Sequence, residues 1–192
     1  IGDVIQLDTT QIGFAADNKI YTVLSSEDKS KLIVFKINSK DKSEYKMTTL
    51  LLNYKLEILK KSRIVIPMKE RNDYLSDFYI DNEGDLVFCK FLRNNGDIIS
   101  DAAFIVKYAD ADTLMKKQLN LEKTWLDEIR IKVDNHNKRY FLTSLYYKER
   151  KGNIDGFYFY VWDKTRAEPF FENTFVFPEE LRKEARGNAS FK

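Results

Sequence analysis

Cysteine and histidine are nearly missing from these 192 residues, which hold one of each, Cys89 and His136. A single cysteine excludes an internal disulfide framework and any multi-cysteine zinc site. In the run Leu86-Val87-Phe88-Cys89 it reads as a small buried thiol on a strand. The lone histidine stands in the polar turn Asp134–Lys138, which leaves Ser-His-Asp catalysis without a recognisable serine partner. Nucleophile elbows, phosphate loops, dinucleotide fingerprints and zinc-protease signatures are absent too. No run approaches the ~18 apolar residues of a membrane span. Charge of one sign is also missing: 32 basic residues against 30 acidic ones give a net charge of +2. The two signs are interleaved, so no long-range field gathers nucleic acid or anionic lipid. The expectation is a protein without nucleic-acid partner, membrane span or cofactor.

What the sequence does contain is strand chemistry in a repeat. The segments Val23–Phe35, Phe78–Lys90 and Ile131–Thr143 each read as an apolar strand, a polar turn and a second apolar strand. Asp81 follows Glu27 by 54 residues, and Asp134 follows Asp81 by 53. Each turn uses Asp, Asn, Ser or Gly, which bond their own backbone or tolerate positive φ and so reverse the chain. A third strand follows in each unit, at Tyr45–Leu52, Ala102–Tyr108 and Phe157–Trp162. A fourth closes it, at Leu56–Ile66, Leu114–Leu121 and Pro169–Phe177. Four antiparallel strands repeating at this spacing predict the blades of a β-propeller. The units fall at about 14–66, 76–121 and 129–177, within one all-β domain spanning 1–192. A short helix over 178–187 follows, with Pro178 in its first turn, Glu179 and Glu180 at its N-terminal end, and Gly187 as a stop. The early run Asp3–Leu7 reads as the last strand of a preceding blade.

The third strand of the third unit is bulky on both faces. Phe157, Phe159 and Val161 alternate with Tyr158, Tyr160 and Trp162, so both faces need cover. Stacked blades supply it; the other reading is an aromatic platform held out for a ligand.

The run Val161-Trp162-Asp163-Lys164-Thr165 looks like the end of the third strand in WD-repeat propellers. The combination of Ile80–Phe88, Arg71–Phe78 and the ending Leu181–Lys192 more closely resembles a group of uncharacterised bacterial cell-envelope β-propeller proteins. That resemblance implies an exported, periplasmic or cell-envelope protein and a longer parent chain. The start at Ile1 rather than Met fits a trimmed chain.

Candidate sites are then sought in long polar loops, which tend to carry function: Arg71 to Asp73, Arg93 to Asp97 and Lys148 to Asp155. Arg71, Asp73 and Arg93, with the aromatic set Tyr158, Tyr160 and Trp162, are the candidate binding residues; none is expected to be catalytic. Asp81–Asp85 suggests a calcium loop, but the EF-hand spacing fails, since Gly84 is fourth rather than sixth and Leu92 stands where the bidentate Glu belongs. Asp110 and Asp112 read as a solvated hairpin. No metal site is expected. The leading functional expectation is a non-catalytic binding or scaffold module for a protein or carbohydrate, with self-association through open blade faces. A propeller-type polysaccharide hydrolase or lyase is the alternative, resting on fold analogy.

Overall fold

The computed structural model describes residues 21–38, 43–68, 73–94, 98–122, 124–149, 152–166 and 169–184. Asp3–Leu7, Arg71 and the stretch after Glu184 lie outside them. The described chain is almost entirely antiparallel β, as its period-two patterning predicts. Its one helix among these residues is α1 (Glu179–Glu184), which starts directly after Pro178.

Backbone contacts divide the chain into two compact units. Among the described residues the first unit contains 21–38, 43–68, 80–86 and 107–115. Its strands β1 (Tyr21–Ser25), β2 (Lys31–Asn38), β3 (Glu44–Asn53) and β4 (Ile58–Pro67) pair in that order as an up-and-down meander. Asp28 makes the β1–β2 turn: its Oδ1 accepts from the Ser26 hydroxyl at 2.6 Å and from the Ser30 N–H at 2.9 Å, while Lys29 takes φ 62°. Asn53 does the same after β3, accepting from the N–H groups of Lys55 and Glu57 at 2.9 Å. These are Asx turns, in which the side chain replaces a backbone acceptor. Ile33, Phe35, Met47, Leu51, Ile64 and Ile66 share one buried face. Against Leu51 sits Gly84, at φ 96°, where a Cβ would come within 3.0 Å of the leucine methyl. The Asp28 N–H donates to Asn82 Oδ1 at 3.1 Å, across 54 residues of sequence. Lys60 reaches Asp112 at 3.3 Å, across 52.

Among the described residues the second unit contains 73–79, 87–94, 98–106, 116–122, 124–149, 152–166 and 169–184. Strands β5 (Asp73–Leu75), β6 (Tyr79–Ile80), β7 (Leu86–Asn94), β8 (Ile98–Lys107), β9 (Leu114–Gln118), β10 (Trp125–Leu126), β11 (Arg130–Asp134), β12 (Arg139–Tyr147), β13 (Gly156–Asp163) and β14 (Pro169–Val176) form one ten-stranded sheet. β6, β7, β8 and β9 pair in succession, and so do β11, β12, β13 and β14. The two-residue strand β10 joins the sets by pairing with both β8 and β12. Neither β5 nor β10 is marked by an apolar run long enough to be read as a strand.

The core of this unit is an aromatic layer. Phe104 of β8 packs its ring 5.4 Å from Tyr160, 5.7 Å from Trp162 and 6.2 Å from Tyr140. Leu126, Leu142 and Cys89 of the same unit are fully buried. β13 therefore buries its Tyr and Trp face, whereas Phe157 and Phe159 on the other face stay half-buried. The face carrying polar handles is the dry one. Tyr158 donates its hydroxyl to Glu172, but the Tyr160 hydroxyl and the Trp162 indole N–H have no hydrogen-bond partner among the described residues. Burial of apolar area outweighs the cost of about 1–3 kcal/mol for each such group.

At the start of β13 the paired backbone comes so close that only glycine fits: a Cβ on Gly156 would stand 1.9 Å from the Phe175 carbonyl oxygen. Gly156→Ala is expected to lower unfolding stability by at least about 2 kcal/mol, read as a lower urea midpoint. An unchanged midpoint would contradict this β13–β14 spacing.

Candidate functional site

A cleft opens in the second unit where β12 changes partner. β10 pairs with Tyr146 and Tyr147, and β11 pairs with Arg139 to Thr143. Between them residues 127–129 leave the ladder, where the Asp127 N–H donates to the Leu145 carbonyl at 3.0 Å. The gap is about 390 Å³, within the range of small-ligand sites. Leu145 and Phe157, opposite one another in the β12–β13 register, form its apolar floor. Thr143 and Ser144 line it beside them, and Asp127, Glu128 and Arg130 stand at its mouth. The Phe157 ring is braced by Phe175 at 5.2 Å and Phe177 at 6.1 Å. Arg130 and Glu128 pair at 3.2 Å with both side chains largely exposed, an interaction of little energetic weight. Burial raises the Tyr79 phenol above its ordinary pKa, and the charges of Asp77 and Glu128 add to the effect while Arg130 opposes it.

The residues expected from sequence to bind a ligand are not gathered here. Arg71 lies outside the described residues. Asp73 is not on an exposed loop: it belongs to β5, is 5 % exposed, and pairs with buried Lys90 at 2.8 Å. A buried carboxylate needs such a partner to offset desolvation. Arg93 lies flat on the same strand pair, 5.9 Å from the Tyr74 ring and 5.4 Å from Phe91, a cation–π arrangement. Tyr158, Tyr160 and Trp162 are core residues rather than an exposed platform, because the β8 face covers them. In the loop Lys148 to Asp155 the Asp155 carboxylate is taken up by the Lys148 N–H at 2.7 Å and by Arg182 of α1 at 3.1 Å. The cleft itself left no mark in sequence, since the gap between β10 and β11 depends on which part of β12 each strand pairs with.

Two further groups carry metal-ligating atoms. Asp81, Glu83 and Asp85 bring carboxylate oxygens within 4.8 Å of one another. Two of those oxygens brace the turn: Asp81 Oδ1 accepts from the N–H groups of Glu83 and Asp85 at 3.0 and 2.9 Å, and Asp85 Oδ1 from that of Ala109 at 2.8 Å. His136 sits exposed in the β11–β12 turn.

No protein-family profile matches the chain, and no curated protein matches it. Solved structures do. Cobalt-substituted Synechocystis apocarotenoid oxygenase is similar at a TM-score of 0.50 and 14 % identity, over 80 % of this chain and 38 % of its own. A single-residue variant of that Synechocystis enzyme gives the same values. The fold is β-propeller-like and all-β. The chain spans 38 % of the length of the oxygenase it resembles. This corrects the functional expectation drawn from sequence: the structures sharing this fold are oxygenases, which overturns the reading as a non-catalytic binding or scaffold module.

Cys89 is excluded from any such chemistry by its surroundings. It is fully buried, and burial alone pushes its thiol well above the ordinary pKa. The thiolate is the nucleophile, so the native protein is expected to leave an aromatic disulfide reagent unreacted for hours and to consume one equivalent in urea. Reaction within minutes in buffer would contradict the packing around β7.

Proposed function

We propose that this chain contributes three consecutive four-stranded blades to an oxygenase-like β-propeller enzyme, and that a small, largely apolar organic substrate rests on Phe157 and Leu145. The observation that carries the enzyme reading is the likeness to apocarotenoid oxygenase over 80 % of the chain. Three sets of four successively paired strands, β1–β4, β6–β9 and β11–β14, support the blade reading. So do contacts between positions one repeat apart: Asp28 with Asn82, Lys60 with Asp112, and the Asn120 N–H with Glu172 Oε1 at 2.6 Å across 52 residues.

The similar enzyme is cobalt-substituted, which implies a transition-metal centre in that protein. The residues of this chain do not fit one. Such ions favour imidazole and thiolate ligands, and the sequence offers one histidine, at an exposed turn, and one thiol, sealed among apolar side chains. The acidic turn at Asp81 offers carboxylate oxygens alone, the ligand type of hard cations. At the cleft the floor excludes water from one side of a bound molecule, and the polar mouth fixes which end points outwards.

Titration with the neutral apolar fluorophore N-phenyl-1-naphthylamine tests the binding role. The native protein is expected to give a saturable rise in emission, and Phe157→Ala to weaken binding about tenfold. No saturation, or equal affinity in the variant, would contradict the site.

A further inference from the structure

We infer that the molecule held in this cleft carries an ammonium group on its apolar body. The inference rests on the cleft being a ligand site, and it adds the chemical class. Three carriers of charge stand at the mouth. Two carboxylates against one guanidinium leave the mouth one net negative charge; Glu128 and Arg130 are largely exposed and 3.2 Å apart, and the third group is the carboxylate of Asp127. This side chain is half-buried, while its backbone N–H is fixed to Leu145. Among the described residues the Asp127 carboxylate pairs with no cation.

A half-buried carboxylate beside an aromatic floor is complementary to one kind of ligand in particular. An ammonium group forms a charge-assisted hydrogen bond with the carboxylate. Its positive charge is also attracted to the negative face of a nearby ring, here Phe157. The apolar body of the same molecule replaces water over Leu145 and Phe157, the term that drives burial in a cleft of this kind. A carboxylate ligand would meet Asp127 with like charge, and a neutral one would leave it without a counter-ion. Arg130 does not reverse this preference, because its side chain is 75 % exposed and Glu128 stands 3.2 Å from it.

Three probes with one apolar body separate the alternatives: 4-phenylbutylamine, 4-phenylbutanol and 4-phenylbutanoate, each titrated calorimetrically into the whole chain at low salt. The amine is expected to bind about tenfold tighter than the alcohol, and the carboxylate weakest. The advantage of the amine should shrink as salt is raised. Asp127→Asn should bring amine and alcohol to equal affinity without changing the alcohol, whereas Glu128→Gln should keep the order. Alcohol and amine binding equally to the native protein would overturn the ammonium inference and leave the cleft as a ligand site. Failure of all three to bind would overturn the site reading itself. Loss of amine binding in Glu128→Gln but not in Asp127→Asn would place the recognition on the wrong carboxylate.

Discussion

The ring of Phe104, laid across Tyr140, Tyr160 and Trp162, is the contact on which the second unit depends. It joins a strand of one four-stranded set to two strands of the next, and it does so with side chains of about 150–250 Å² each, large enough to dominate the burial of a small sheet. The same contact decides which way β13 faces. Once Tyr158, Tyr160 and Trp162 are turned inwards, period-two geometry sends Phe157 and Phe159 to the other side, where Phe157 becomes the floor of the cleft. A register slip of one residue in β13 would exchange the two faces and remove core and site together. Gly156, pressed against the Phe175 carbonyl, and Glu172, bonded to Tyr158, hold that register from the β14 side.

Much of the fold was legible because its signals are local. Asp28, Asn53 and Asp81 each fold their own turn by accepting backbone N–H groups two to four residues on, and such residues can be picked out without knowing anything distant. The 53- to 54-residue spacing is likewise written in the chain, and three hydrogen bonds join residues 52 to 54 apart. Strands β5 and β10 escaped notice because three and two residues carry no periodicity. Their pairing is decided by β7, β8 and β12, which are remote in sequence.

The candidate site was harder to read for the same reason. Asp73 and Arg93 stand in polar stretches, yet Lys90, Tyr74 and Phe91 claim them, and none of these partners can be inferred from spacing. Nothing about Asp127 distinguishes it from the other acidic residues of the sequence until β10 and β11 are seen to leave it over Leu145. Function followed a similar path. Composition and motifs argued against catalysis, whereas the fold is shared with an oxygenase.

Native-state hydrogen exchange tests the aromatic layer most directly, because protection follows the free energy of local opening. If Phe104 and its partners form the core, the amides of Leu142 and of Tyr158 to Trp162 should exchange with the slowest rates in the second unit, far behind those of β5 and α1. Protection of these strands no greater than that of α1 would contradict the account.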